Sequence, residues 1–254
     1  MNIVLFEQDE LDGMRAVLGR SDERARHIRK VLRKTAGDSF TAGIIDGPAG
    51  QAMIESAEDG CFVCLFTPSG EQPPPLEPVE VLVGFPRPIQ LKRLLREAAS
   101  LGARAIHLCG TELGEKSYME SNCIKDGSAR SALLEGVVQS RATALPELTI
   151  HTTVAEALAV INGRSYSVKI VLDIDECAGP LVDAAWDAVD SAVPALLAIG
   201  SERGWTAAER SAFRAAGFES RSLGGRVLRT ETAVTAALAV TLSGLEREHR
   251  AGTQ

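Results

Sequence analysis

The sequence predicts an α/β protein in two parts, a small barrel of short strands followed by a mostly parallel sheet covered by helices. Three observations carry this. From Val79 onward, apolar strand candidates alternate with helical stretches, the pattern of a parallel sheet with helices on both faces. Ahead of it, short strand candidates are spaced by turn residues, as in a small barrel. Between the two, residues 67–78 hold Gly70 and Pro73-Pro74-Pro75 with little apolar content, a linker of polyproline character. The expected divisions are a domain over 1–70, a linker over 71–78 and a second domain over 79–254.

In chain order, residues 3–6 form the first expected strand. Residues 24–32 have helical character and end at Gly37-Asp38. Strands are expected over 39–45, 52–56 and 61–66, separated by Asp46-Gly47-Pro48 and Asp59-Gly60. In the second part, strands are expected over 79–85, 105–109, 148–151, 168–174 and 195–199. Helices are expected over 89–101, where Leu91, Leu94, Leu95 and Ala98 share one stripe, and over 128–144, 154–161, 181–189, 207–216 and 230–247.

The 254 residues suffice for one large or two smaller domains, and 45% apolar content supports a sizeable core. No apolar run approaches the roughly 20 residues of a membrane span. The start, Met1-Asn2-Ile3-Val4-Leu5-Phe6-Glu7, lacks the basic region of a secretory signal. Five cysteines, mostly isolated in apolar segments, fit a reducing compartment, so a cytoplasmic location is expected. The formal charge of -7 argues against nucleic acid as a partner. Residues 20–34 argue the other way, with Arg20, Arg24, Arg26, Arg29, Lys30, Arg33 and Lys34 against only Asp22 and Glu23. Such a cluster is either an RNA footprint or a solvated helix face.

The densest concentration of unusual residues runs over 199–233. It opens as Ile199-Gly200-Ser201-Glu202-Arg203-Gly204-Trp205 and closes as Leu223-Gly224-Gly225-Arg226-Val227-Leu228-Arg229-Thr230-Glu231-Thr232-Ala233. Two glycine-bearing loops at the ends of apolar segments let backbone approach a ligand closely. Other motifs are weaker. Gly110-Thr111-Glu112-Leu113-Gly114-Glu115-Lys116-Ser117 nearly reads as a phosphate loop, but its spacing is one short and Glu115 would repel phosphate. No Gly-x-Gly-x-x-Gly follows a strand. Cys61-Phe62-Val63-Cys64 lies in an apolar strand with no second pair, so buried packing is the expectation. His27, His107, His151 and His249 form no ligand spacing, and no Gly-x-Ser-x-Gly elbow occurs, so no metal set and no nucleophile arrangement are expected.

The 199–233 stretch resembles the signature of the RsmE family, Ile-Gly-Pro-Glu-Gly-Gly-Phe, a helix, then Leu-Gly-x-Arg-Ile-Leu-Arg-x-Glu-Thr-Ala. The second half agrees almost letter for letter. In the first, Ser201 replaces Pro, Arg203 replaces Gly and Trp205 replaces Phe. The run His27-Ile28-Arg29-Lys30-Val31-Leu32-Arg33 with Gly37-Asp38 is similar to that family's amino-terminal PUA-like domain. Gln139-Ser140 and Pro146 fall in register with its Gln-Ser-Gly-Arg-x-x-x-Pro pattern, with Arg141 one place early. Gly84-Phe85-Pro86-Arg87-Pro88 stands where Leu-Pro-Lys-Gly is usual.

The resemblance implies a SPOUT-type α/β trefoil-knot methyltransferase domain behind a PUA-like β-barrel. It implies a homodimer that uses S-adenosyl-L-methionine, without a metal, to methylate N3 of a uridine in 16S rRNA, uridine 1498 in the family. Donor-binding residues would be Leu172, Ile174, Glu176, Gly200, Ser201, Glu202, Gly204, Leu223, Gly224, Val227 and Leu228. Arg229 would act as an electrostatic clamp on the base or its phosphate, and Glu231 as proton acceptor or orienter of Arg229, against the plainer reading of an Arg229–Glu231 pair that only fixes the loop. Arg26, Arg29, Lys30, Arg33, Arg141 and Arg226 would contact RNA, with Glu112 and Lys116 at the site's rim. The apolar final helix, through Ala236, Ala237, Val240 and Leu245, would supply the dimer surface. Two other readings stay open: a non-catalytic RNA-binding or ribosome-assembly protein, and a SPOUT methyltransferase with another RNA target.

Overall fold

The computed structural model describes residues 3–121, 124, 126–175 and 177–252. They form two compact units, the first from 1–75 with 137–145, the second from 76–136 with 146–254. In the first, strands β1 (Val4–Phe6), β2 (Arg15–Leu18), β3 (Ser39–Ile44), β4 (Ala49–Glu58) and β5 (Cys61–Pro68) make one sheet in the order β1-β3-β4-β5-β2. β1 runs parallel to β3, and the other pairs are antiparallel. Inward positions alternate along the strands, so Leu18, Phe40, Ile54, Phe62 and Phe66 meet in one apolar core with Phe6 and Ile28. β2 is absent from the sequence reading. Only Ala16 and Leu18 turn inward, and Val17 lies exposed, so four residues carry too short an alternation to be recognised.

The basic segment is a short helix, α1 (Glu23–His27), capped by Asp22 and continued by a wider π turn (Ile28–Leu32). Arg33, in the left-handed region at φ 54°, ends it. Residues 137–145 join the first unit by hydrogen bonds. Asp46 N donates to Thr143 O (2.9 Å), and Asp46 Oδ1 accepts from Leu145 N (2.7 Å).

The second unit holds six strands, β6 (Glu77–Gly84), β7 (Ala103–Cys109), β8 (Glu147–His151), β9 (Val168–Leu172), β10 (Ala195–Ile199) and β11 (Glu219–Arg221). Their order is β11-β9-β10-β6-β7-β8, and every neighbouring pair is parallel. All six carboxyl ends therefore face one edge, where open parallel sheets bind ligands. β10 is buried at every position, consistent with a centre covered on both faces. β11 is the second strand missing from the sequence reading. Its Glu-Ser-Arg has no apolar residue, and it is a strand because β9 supplies its hydrogen bonds.

The helices are α2 (Pro88–Ser100), α3 (Lys116–Met119), α4 (Ser128–Ser140), α5 (Val154–Ile161), α6 (Ala207–Ala215) and α7 (Thr230–Gly252). Two expectations need correction. Residues 181–189 are not a helix but two 3-10 turns, Leu181–Asp183 and Trp186–Ala188, separated by extended Ala184. The break lets Trp186 bury itself against Gly244 of α7, where any β-carbon would overlap the indole. On α7 itself, Ala237 and Leu245 are buried within the unit rather than available to a partner, leaving Ala239 exposed and Val240 half-buried beside Val182. No helix among the described residues is long and apolar enough to cross a membrane.

Candidate functional site

Three loops leave the carboxyl ends of β9, β10 and β11 and enclose a cavity of about 250 Å3. The loop after β10 is the tightest. Gly204, at φ 70°, donates from its N to Ser201 O (2.8 Å), folding 200–204 back on itself. A β-carbon on Gly200 would come within 2.9 Å of Gly204 Cα, so residue 200 has no room for a side chain while this turn stands. Thr206 then starts α6 with a capping box shared with Glu209. Trp205 is buried against Phe213, ring centroids 4.7 Å apart.

The residues that depart from the family pattern fasten this loop outward. Ser201 Oγ lies 3.1 Å from Thr111 Oγ1. Arg203 reaches Leu113 O and Glu115 Oε1, both at 3.4 Å, and Glu202 Oε1 accepts from Arg87 N at 3.0 Å. The Arg203 side chain is thus turned toward the loop after β7.

The loop after β11 supplies Leu223, Gly224, Arg226, Val227 and Leu228 to the cavity. Gly224 takes φ 106°, and Val227 is 78% exposed at the cavity. Thr230 opens α7 and donates from Oγ1 to Gly200 O at 3.3 Å, tying this loop to the one after β10. Arg229, just ahead, is exposed, and its guanidinium forms no ion pair among the described residues. Glu231 is 5% exposed, does not line the cavity, and keeps one carboxylate oxygen without a hydrogen bond among the described residues. The two side chains do not pair.

The loop after β9 contributes Leu172 and Ile174; Glu176 lies outside the described residues. It also brings Asp173 and Asp175, which the sequence reading passed over, together with Arg210 from α6. Arg210 Nε meets Asp173 Oδ2 at 2.5 Å and Nη2 meets Oδ1 at 3.3 Å. Burial would push the Asp173 carboxyl up, but Arg210 and the backbone N–H groups of Asp175 and Ile174 hold it below the ordinary carboxylate range. An aspartate directly after an apolar strand was the available signal. The structure therefore gathers Leu172, Ile174, Gly200, Ser201, Glu202, Gly204, Leu223, Gly224, Val227 and Leu228 on one cavity, with Arg226 beside them.

A second, larger cavity of about 560 Å3 opens along the same edge, walled by Thr111, Glu112, Glu115, Lys116, Met119 and the start of α5. Below it lies a polar group the sequence did not announce. His107 Nδ1 is 3.1 Å from His151 Nε2, His107 Nε2 is 3.4 Å from Glu80, and Tyr166 donates to Glu80 at 2.7 Å. His107, His151 and Glu80 are all buried. No group of three side chains fit for a metal occurs among the described residues.

On the first unit, Arg26, Arg29, Lys30 and Arg33 all point to solvent. Arg26 stands 3.9 Å from Glu23, and Arg29 reaches Gly60 O at 3.5 Å, both loose contacts. Arg24 differs: it is locked between Glu10 and Asp22 and donates to Leu5 O, a structural role. Arg141, at φ 61°, lies in the 137–145 segment of the same unit.

Comparison with known proteins agrees across both units. The model of the RNA methyltransferase domain matches residues 72–242, and that of the RNA methyltransferase PUA domain matches 21–63. The chain is 43% identical over 252 residues to the ribosomal RNA small subunit methyltransferase E of Treponema pallidum, covering 96% of this chain and 91% of that one. It is 31% identical to ribosomal RNA small subunit methyltransferase E 1 of Borreliella burgdorferi, covering 96% and 99%. Among solved structures, the Neisseria gonorrhoeae ribosomal RNA small subunit methyltransferase E bound to S-adenosyl methionine superposes with a TM-score of 0.75 at 21% identity, covering 95% and 97%. A probable rRNA methyltransferase from Porphyromonas gingivalis gives the same TM-score at 22% identity, covering 96% and 99%. With both domain models matched and such identity along almost its whole length, the chain belongs to the ribosomal RNA small subunit methyltransferase E (RsmE) family.

Proposed function

We propose that this protein transfers a methyl group from S-adenosyl-L-methionine to N3 of a uridine in 16S rRNA, at uridine 1498, as a cytoplasmic homodimer. The observation that carries the reading is the convergence of three segments, 172–175, 199–205 and 223–230, on one cavity at the carboxyl ends of parallel strands. The residues present suit such a donor. Leu172, Ile174, Leu223, Val227 and Leu228 offer an apolar lining for a purine, and the bare backbone at Gly204 and Gly224, in a turn that Gly200 makes possible, allows close approach. Glu176 belongs to the same proposed set. A sulfonium donor arrives already activated, so the chain need only position the acceptor and manage its proton.

Arg229 is the proposed clamp. Its unpaired, exposed guanidinium is free to meet the negative charge that develops on the uracil carbonyls as N3 loses its proton. Glu231 is the candidate proton acceptor or orienting group, and its partnerless buried oxygen is what keeps it in that role. Arg26, Arg29, Lys30 and Arg33, with Arg141, are proposed to hold rRNA phosphates on the first unit, and Arg226 does so at the cavity mouth. The dimer surface is proposed on α7 around Ala239 and Val240, beside Val182 of the 3-10 turn. The knot belongs to the same proposal. What supports it is that residues 220–222 hydrogen-bond to the 178–181 segment and that Thr230 ties back to Gly200.

Incubating the protein with small ribosomal subunits from a strain lacking the endogenous enzyme and a methyl-labelled donor tests the reading. Label at N3 of one uridine is expected. Label on another nucleotide would move the target, and donor binding with no label on any rRNA would favour a non-catalytic role.

A further inference from the structure

We infer that Arg210 is a positioning residue for the methyl donor, acting through Asp173 to hold the loop that forms one wall of the donor cavity. The inference rests on the donor reading above and goes beyond it, because neither side chain belongs to the signature loops. Arg210 stands on α6, the helix between the two glycine-bearing loops, and grips Asp173 with two nitrogens, at 2.5 and 3.3 Å. The Asp173 side chain is 6% exposed. Its Oδ1 also accepts from Ile174 N (2.8 Å) and Asp175 N (3.1 Å), so one carboxylate sets the turn at the end of β9. Asp173 N donates to Arg221 O at 3.0 Å, which aligns the same turn with β11.

A planar fork bound to one carboxylate fixes direction as well as distance, which a point charge does not. Arg210 also lies 3.6 Å from Asp175, whose side chain is 72% exposed at the cavity. Arg221, also nearby, is taken up by Glu219 at 2.6 Å. Glu202, Arg203 and Arg226 line the same cavity, but among the described residues Arg210 is the cation that holds the Asp173 carboxyl down, and α6 is how the loop after β10 and the loop after β9 keep their spacing.

The pair also predicts a pH signature. Asp173 titrates below the ordinary carboxylate range, so its contribution is present above that range and lost as pH falls through the lowered value. Without Arg210, burial pushes the carboxyl up, and the loss begins at higher pH.

The test is calorimetric titration with S-adenosyl-L-methionine from about pH 3 to 8, alongside melting temperature and steady-state kinetics, on wild type, Arg210→Gln and Arg210→Lys. The expected result for Arg210→Gln is donor affinity at least about tenfold weaker at pH 7.5, kcat at saturating donor within about threefold, and an acid limb moved to higher pH. Arg210→Lys should fall between, and it carries the test if the Gln variant does not fold. Wild-type affinity with an unmoved acid limb in both variants would overturn the inference. So would an affinity loss that merely follows a lowered melting temperature. A wild type that binds no donor at all fails the functional reading itself, and that baseline tells the two failures apart.

Discussion

The two cavities on the carboxyl edge of the parallel sheet differ in what builds them. The larger, about 560 Å3, is lined by charged and polar residues, among them Glu112, Glu115 and Lys116, beside Met119. The smaller, about 250 Å3, is lined by three loops that bring Leu172, Ile174, Val227 and Leu228 together with Gly200, Gly204 and Gly224. Volume favours the first, yet construction favours the second as the donor site. At the smaller cavity the turn of 200–204 leaves no space for a β-carbon on Gly200, and Val227 stands 78% exposed. Bare backbone at Gly204 and Gly224 beside apolar Leu172, Ile174, Val227 and Leu228 suits a flat apolar ring held close to the main chain. At the larger cavity two of the three carboxylates are already employed. Glu209 accepts from Glu112 N and Thr206 N, and Glu115 pairs with Arg203. One wall joins the two, through Ser201 and Thr111.

The largest expected effect falls on the chemistry at the smaller cavity. Arg229→Lys keeps the charge but loses the planar fork, so single-turnover methyl transfer should slow about a hundredfold, roughly 3 kcal/mol. Donor affinity and melting temperature should stay as in wild type. If both fall with rate, Arg229 is a loop fastening; if rate is unchanged, it has no part in the reaction.

The next effect lies on the first unit. Replacing Arg26, Arg29 and Arg33 together by Ala should weaken binding of a small-subunit rRNA fragment by about tenfold or more. The slope of log affinity against log salt should shrink by about two to three, as roughly one phosphate contact is lost per arginine. An unchanged slope would make this run a solvated helix face.

The smallest effect concerns the histidines beneath the larger cavity. Burial first, then the neighbouring His107, lowers the His151 pKa from 6.5. A lowered histidine favours the folded state above its ordinary value, and that contribution is lost as pH falls through the lowered one. Melting temperature should therefore drop between pH 7 and 5 in wild type, less steeply in His151→Gln. Gln can still hydrogen-bond to His107 but does not titrate. Donor affinity at pH 7.5 should be equal in the two chains. A change there would mean that the two cavities are coupled.

How much of this was legible in the sequence depended on whether the causes were local. β10 reads as a strand because all five residues are apolar and buried. β11 does not, because Glu219, Ser220 and Arg221 carry no apolar signal and depend on β9. Residues 181–189 have helix-like spacing, but Trp186 reaches a partner on α7, Gly244, that no local window contains. The glycine-bearing loops announced the site because unusual φ values and close approach leave a compositional mark. Asp173 left only its place after an apolar strand, and its pairing with Arg210 left no mark, since the two lie 37 positions apart and meet only through the fold. The same holds for His107 and His151, separated by 44 positions.

The claim that the donor occupies the smaller cavity is tested most directly by one titration series. S-adenosyl-L-methionine is added to wild type, to Gly200→Val and to Ala155→Trp, each checked for folding by melting temperature. Gly200→Val places a branched side chain against Gly204, whereas Ala155→Trp fills the larger cavity. The account predicts binding by wild type, affinity within about twofold for Ala155→Trp, and a loss of about a hundredfold or more for Gly200→Val. The reverse pattern, with Gly200→Val binding as wild type and Ala155→Trp not binding, would place the donor in the other cavity and contradict it.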